Sequence, residues 1–172
     1  LRGAWILDRL LGTPSPEPPL DVPSLPENRR GQPAKTLRAR LEQHREKATC
    51  FACHGVMDPL GLALENFNAV GQWQEKDADA GTRIDSTGRL VDGTVVHGPD
   101  DLRNALVDRL LGLTGDPKLD TYNDPYAAWW TLKWSDLLRN DSNVLGEQGM
   151  WAMHNWLREA FRTNKPLDKF VR

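Results

Sequence analysis

Apolar residues recur along the chain as short helical stripes, separated by breaks rich in proline, glycine and charge. Leu1 to Leu11 opens with Ala4, Leu7 and Leu11 at helical spacing, and Gly12 is a natural stop. From Thr13 to Pro33 the stripe vanishes, and seven prolines (14, 16, 18, 19, 23, 26 and 33) predict an extended strap. A spacer over the surface fits this stretch better than a motif for a proline-binding partner. Thr36 can cap a helix from Leu37 to about Lys47, with Leu37, Leu41, His44 and Ala48 on one face. His44 therefore points to the core with the leucines. Met57-Asp58-Pro59 predicts an end and a restart, with Pro59 in the first turn of a new helix faced by Leu60, Ala63, Leu64 and Phe67.

Further on, Gly71 and Trp73 fall in a loop, and Gln74 to Gly81 reads as a charged, exposed turn. Ile84 to Val96 reads as a hairpin around Asp92-Gly93, flanked by Leu90-Val91 and Val95-Val96. Pro99, Asp100 and Asp101 start a helix faced by Leu102, Leu106 and Leu110, because acids favour its positive end. Gly112 ends it, and Gly112 to Asn123 reads as a connector. Asp124-Pro125 predicts a cap and first position for a helix to about Leu138, carrying Trp129, Trp130 and Trp134. A last long helix spans roughly Glu147 to Arg162, faced by Met150, Leu157 and Phe161 with Met153 or His154 alongside. Asn164-Lys165-Pro166 breaks it. The pattern predicts a mainly α chain: a small domain over 1–111 with one short β-hairpin and a proline-rich strap, a connector over 112–123, and a tryptophan-rich helical segment over 124–172.

Composition narrows the function classes. The 172 residues suit one or two small domains. Net charge is −2 with both signs interspersed, which argues against a nucleic-acid partner. Mean hydropathy is −0.58, and no apolar run is long enough to cross a membrane. The chain begins at Leu1 with no visible signal peptide, so a mature product or an excised piece is expected. Trp129, Trp130, Trp134, Trp151 and Trp156 lie at helical spacing and are expected in the core.

Chemistry enters at Cys50-Phe51-Ala52-Cys53-His54. The pattern is C-x-x-C-H, the attachment sequence for c-type haem. Two thiols at this spacing match the two vinyl groups of one haem, and the adjacent histidine reaches the iron as proximal ligand. These are the chain's only two cysteines. A redox dithiol wants a βαβ pattern around it, and a zinc site wants four ligands. Both fit less well, since His44, His97 and His154 are scattered, but both stay open. For the sixth iron position, Met57 lies too close to His54 along the chain to reach the opposite face of the haem. His44, ten residues away on an apolar face, is the preferred distal candidate. His97, His154, Met150 and Met153 are less favoured. Asp58, Glu65 and Asp85 read as caps and surface charge.

The residues around the motif resemble a known group. Leu37-Arg38-x-Arg40-Leu41-Glu42-Gln43-His44-Arg45, the C-x-x-C-H run, and Met57-Asp58-Pro59-Leu60-Gly61-x-Ala63-Leu64-Glu65-Asn66-Phe67 resemble the haem-bearing segment of planctomycete-type cytochrome c domains. Arg2-Gly3-x-Trp5, Gly12-Thr13-Pro14, Val70-Gly71-Gln72-Trp73 and Asp92-Gly93-Thr94 fit the same family, so the likeness spans about 1–111. Tyr126-Ala127-x-x-Trp130-x-Leu132-Lys133-Trp134, Trp156-Leu157-Arg158 and Asn164-Lys165-Pro166-Leu167-Asp168-Lys169-Phe170 resemble a second planctomycete-type helical domain associated with cytochromes. The first resemblance implies one haem c on Cys50, Cys53 and His54. The expected function is a monohaem cytochrome that carries single electrons between redox partner proteins, as a carrier rather than an enzyme. Self-assembly or a larger cytochrome complex is a further partner expectation. A haem enzyme or sensor with an open sixth position, and an interaction module of a surface assembly, are the competing readings. Covalent haem attachment takes place outside the cytoplasm, so a periplasmic or extracellular location is expected.

Overall fold

A computed structural model describes residues 1–18, 24–28 and 31–172. Among them the chain is mainly helical, with seven α-helices and one two-stranded antiparallel hairpin. Residues 13–18, 24–28 and 31–33 of the proline-rich stretch carry neither helix nor strand, and the rest of that prediction lies outside the described residues. The chain divides into two compact units, Leu1–Asn104 and Ala105–Arg172.

The first unit is built on the crossing of α1 (Arg2–Arg9) with α3 (Ala48–Leu62). Gly3 makes this crossing possible. A Cβ there would lie 1.6 Å from the carbonyl oxygen of Met57, so only glycine lets the two backbones approach so closely. The buried face of α1 is therefore Gly3, Ile6 and Leu7 rather than the predicted Ala4, and Leu11 continues it beyond the helix. Arg2 ties the helix down by donating to the carbonyls of Leu64 (2.9 Å), Phe67 and Asn68 (3.3 Å).

The predicted break at Pro59 does not occur. α3 runs through this proline to Leu62. Proline removes one helical hydrogen bond and normally kinks or ends a helix. Here Leu60, Leu62 and Ala63, just beyond it, are buried. That burial, on the segment that crosses α1, offsets the lost bond. Leu64 and Phe67 follow in a turn rather than in a new helix, and Phe67 pairs with Trp73 through a backbone bridge and an edge-on ring contact at 5.4 Å.

The helix before it, α2 (Leu37–Arg45), is capped as predicted: the Thr36 hydroxyl accepts from the Ala39 N–H at 3.1 Å. Asp77 supports the same helix end by accepting from the Leu37 N–H at 3.0 Å, and it also takes the Asp79 and Ala80 N–H groups. Burial pushes the Asp77 carboxyl up, but these N–H donors and Arg40 outweigh it and leave the group below its ordinary value. The predicted face of α2 is only partly covered. His44 is buried, Leu37 and Leu41 are half-buried, and Ala48 is exposed.

The hairpin joins β1 (Thr87–Arg89) to β2 (Val95–His97), with Gly88 opposite Val96. Asp92-Gly93 forms its tip, but Leu90 and Val91 belong to the connection rather than to a strand. Gly88 lies against α3: a Cβ on it would meet the Pro59 carbonyl and Ala63 at 2.7 Å each. Arg38 of α2 donates to the carbonyls of Asp85 (2.7 Å) and Thr87. The hairpin thus covers the far end of the helix that carries the cysteines. It leads into α4 (Pro99–Leu111), whose Leu102 and Leu106 are buried as predicted.

Within the second unit, residues 112–123 are hydrogen-bonded rather than free chain. Thr114 donates to Asp120 at 2.7 Å, and Asn123 donates to the carbonyls of Leu110 and Arg162. α5 (Asn123–Leu137) and α6 (Ser142–Arg162) form the body of this unit. Asp124 is not the cap expected of it, since α5 already begins at Asn123. It lies in the first turn and takes a two-pronged contact from Arg158, 2.8 Å to each oxygen. Gly146 (φ 68°) breaks the regular helix within α6, next to the predicted start at Glu147. α7 (Leu167–Phe170) follows the predicted stop and sets Phe170 against Trp134, Trp156 and Phe161.

The tryptophans depart from expectation. Trp129 and Trp151 are 55% and 56% exposed, Trp130 and Trp156 are also exposed, and Trp134 is half-buried. The buried positions of α5 and α6 are Ala127, Thr131, Leu157 and Ala160. Thr131 satisfies its hydroxyl by donating to the Ala127 carbonyl at 2.7 Å. Three of the four residues are small, which lets helix backbones come close and leaves no room for indole rings between them. No helix among the described residues is long and apolar enough to cross a membrane.

Candidate haem-attachment site

The predicted site residues fall on two consecutive helices. Cys50, Cys53 and His54 lie on α3 at positions i, i+3 and i+4, so all three project from one face within a turn. Both thiols are free and half-exposed, within reach of a group in solution. His44 sits near the end of α2, and only Glu46 and Lys47 separate the two helices. This short joint brings the two imidazoles together, with ring centres 4.6 Å apart in an edge-on contact. Burial, then the neighbouring His54, hold the His44 ring below its ordinary pKa, against an upward pull from Asp58.

The structure overturns the expectation that Asp58 is a cap or a surface charge. Asp58 lies within α3 and is buried, one turn past His54. Its Oδ1 is 3.0 Å from the His54 Nδ1. Arg45 of α2 approaches its Oδ2, with Nε at 3.8 Å. The i, i+4 spacing of His54 and Asp58 is the signal in the sequence, and the local helix-start preference of Pro59 masks it. Glu65 is also buried rather than superficial, and burial pushes its carboxyl up against the pull of Arg38. Asp85 stays near the surface, where the Thr87 side chain and N–H hold its carboxyl below the ordinary value.

The other ligand candidates are placed elsewhere. Met57 is half-buried on α3, on the same face as His54. His97 is exposed on β2, near Thr87 Oγ1 at 3.4 Å, and lines an open cleft of about 300 Å³ with Trp73 and Arg83. His154, Met150 and Met153 belong to α6 of the second unit, where His154 meets the Trp151 ring. Among the described residues no group of three or more His, Cys, Asp or Glu side chains could hold a metal ion, so the zinc reading lacks a ligand set.

The residues present fit a covalently held haem. The thiols are accessible on one face. An imidazole beside them uses Nδ1 on Asp58 and keeps Nε2 for an iron, the division of roles that metal-binding histidines require.

Residues 1–77 match the family model PSCyt3, protein of unknown function (DUF1588), and residues 86–172 match PSCyt2, protein of unknown function (DUF1549). Both are planctomycete cytochrome-associated domains. The hairpin, whose Asp92-Gly93-Thr94 turn was read with the first family, falls within the second match. No curated protein and no solved structure matches the chain. With half of its length covered by the second model and the cysteine-bearing part by the first, the chain belongs to the PSCyt2 family and carries a PSCyt3 domain ahead of it.

Proposed function

We propose that this chain is a monohaem c-type cytochrome: Cys50 and Cys53 bind one haem through thioethers, and His54 is its proximal ligand. The observation that carries the reading is the common face of Cys50, Cys53 and His54 on α3, with the His54 Nδ1 engaged by Asp58 and its Nε2 making no hydrogen bond among the described residues. The bound group would supply one-electron chemistry at its iron; the protein supplies the anchors, the ligand and the surrounding dielectric. His44 is the proposed sixth ligand, supported by its burial and its proximity to His54. The two rings touch each other, so they would have to part to hold one group between them. Two imidazoles imply a lower potential than an imidazole–thioether pair, because methionine ligation raises it. Thioether formation places the proposed location outside the cytoplasm, in the periplasm or at the cell surface, with redox proteins as partners.

Denaturing mass spectrometry of the mature protein tests the reading. Chain plus one haem is expected, and a bare polypeptide mass would overturn it. Cys50→Ala should leave one thioether and a less stable adduct. His44→Ala should convert a low-spin spectrum to high or mixed spin; an unchanged spectrum removes His44 from the iron.

The exposure of Trp129, Trp130, Trp151 and Trp156 favours a second role for the C-terminal unit, as the part that docks a partner of a larger cytochrome assembly. Aromatic residues are enriched at protein interfaces. Under this reading, partner binding persists in the Cys50→Ala/Cys53→Ala double variant.

A further inference from the structure

The carboxylate behind His54 has a definite chemical consequence. Four observations converge on it. Asp58 is 9% exposed, one helical turn from His54. Its Oδ1 lies 3.0 Å from the His54 Nδ1. Its Oδ2 is buried and makes no hydrogen bond among the described residues. Arg45 stands 3.8 Å from that same oxygen, close enough to balance the charge without a hydrogen bond. The other acceptor a helix normally offers, a backbone carbonyl, is neutral. A carboxylate draws the shared proton more strongly and returns electron density to the imidazole ring.

We propose that Asp58 is the positioning residue for the iron ligand: it fixes the His54 proton on Nδ1, presents Nε2 as the lone-pair nitrogen, and lowers the reduction potential of the site by acting as an anionic hydrogen-bond acceptor. Arg45 moderates this effect from α2. The inference rests on the haem reading above and deepens it, because it states how the chain tunes the group it holds. A rigid, buried acceptor on the same helix keeps the ring from rotating, since both partners move with one element. An oxidised iron carries one more positive charge than a reduced iron, so electron density delivered through His54 favours the oxidised state.

The test compares the mature wild type with Asp58→Asn, Asp58→Glu and Arg45→Met. Each is examined by denaturing mass spectrometry, redox titration and resonance Raman spectroscopy. With haem attached, Asp58→Asn should raise the midpoint potential by about tenfold in the reduced-to-oxidised ratio, ~59 mV for one electron. It should also lower the iron–imidazole stretching frequency in His44→Ala background, where the ferrous iron is five-coordinate. Arg45→Met should move the potential in the opposite direction, and Asp58→Glu should restore part of the wild-type value. A wild-type mass without haem defeats the underlying reading and this inference with it. Haem attached at an unchanged potential and stretch in Asp58→Asn defeats this inference alone. Should Asp58→Asn fail to fold, the sign of the Arg45→Met shift decides: a fall supports the proposal, and no change or a rise overturns it.

Discussion

The two units solve the same problem, packing helices in a small volume, by opposite means. In the first unit, charged side chains reach over long sequence separations to backbone carbonyls: Arg2 to Leu64, Phe67 and Asn68, and Arg38 to Asp85 and Thr87. In the second, the buried positions of the two main helices are small or aliphatic, and Trp129, Trp130, Trp151 and Trp156 lie toward solvent. The first unit keeps its buried titratable groups beside charged side chains, as Asp58 is kept beside Arg45. His44, Asp58 and Glu65 all sit in the first unit. The second buries Arg109, which donates to the Ala105 carbonyl, but no buried histidine or carboxylate among the described residues.

This contrast can be broken by mutation. The largest effect is expected at Leu157, fully buried in α6. Leu157→Ala should destabilise the second unit by ~2–5 kcal/mol, as large-to-small core changes do. Denaturant unfolding followed by tryptophan fluorescence reads it, and a loss under 1 kcal/mol would contradict the α5/α6 seam. Gly3→Ala comes next. It forces a methyl group into the Met57 carbonyl and should cost ~1–3 kcal/mol as overpacking. A neutral result would mean that α1 and α3 are not in such close approach.

Titration sharpens the comparison further, because the buried carboxyls, Asp58 and Glu65, both lie in the first unit. Asp77 lies below its ordinary value, so its contribution is present at neutral pH and fades as the solution is acidified through its folded pKa. Asp77→Asn should therefore cost ~1 kcal/mol at neutral pH, the worth of a helix cap, and progressively less in acid. Glu65 has the opposite sign. Its carboxyl is raised by burial, so the favourable state is the protonated one, and stability falls as pH climbs from the ordinary carboxylate range through the raised value. Glu65→Gln should stabilise the unit at neutral pH and change little below about pH 4, the ordinary range. Urea midpoints at both pH values measure each. The smallest effect is expected at Trp129. Replacing this exposed ring by alanine should shift stability by no more than ~0.5 kcal/mol. A larger loss would mean that the ring is part of the core after all.

What the sequence disclosed follows from which forces act locally. The cap at Thr36, the hairpin tip at Asp92-Gly93 and the stop before Leu167 depend on residues a few positions apart, and each was legible. Burial of His44 followed from its spacing with the leucines. The local preference of Pro59 misleads because it is outweighed by packing across α1, more than fifty residues away at Gly3. Once that helix was cut, Asp58 became a cap instead of a partner for His54. The tryptophans misled for a related reason. Periodicity shows which residues share a face, but not whether small neighbours let the helices close and leave the larger rings outside.

The seating of Gly88 on Pro59 and Ala63 also bears on the order of events during synthesis. The hairpin belongs by sequence to the second family match, yet it packs on the cysteine-bearing helix of the first. A chain emerging from its N-terminus at ~5–20 residues per second presents Cys50 and Cys53 several seconds before the hairpin exists to cover that helix. The nascent α3 therefore passes through an interval in which its Pro59 end lacks the hairpin that later packs on it.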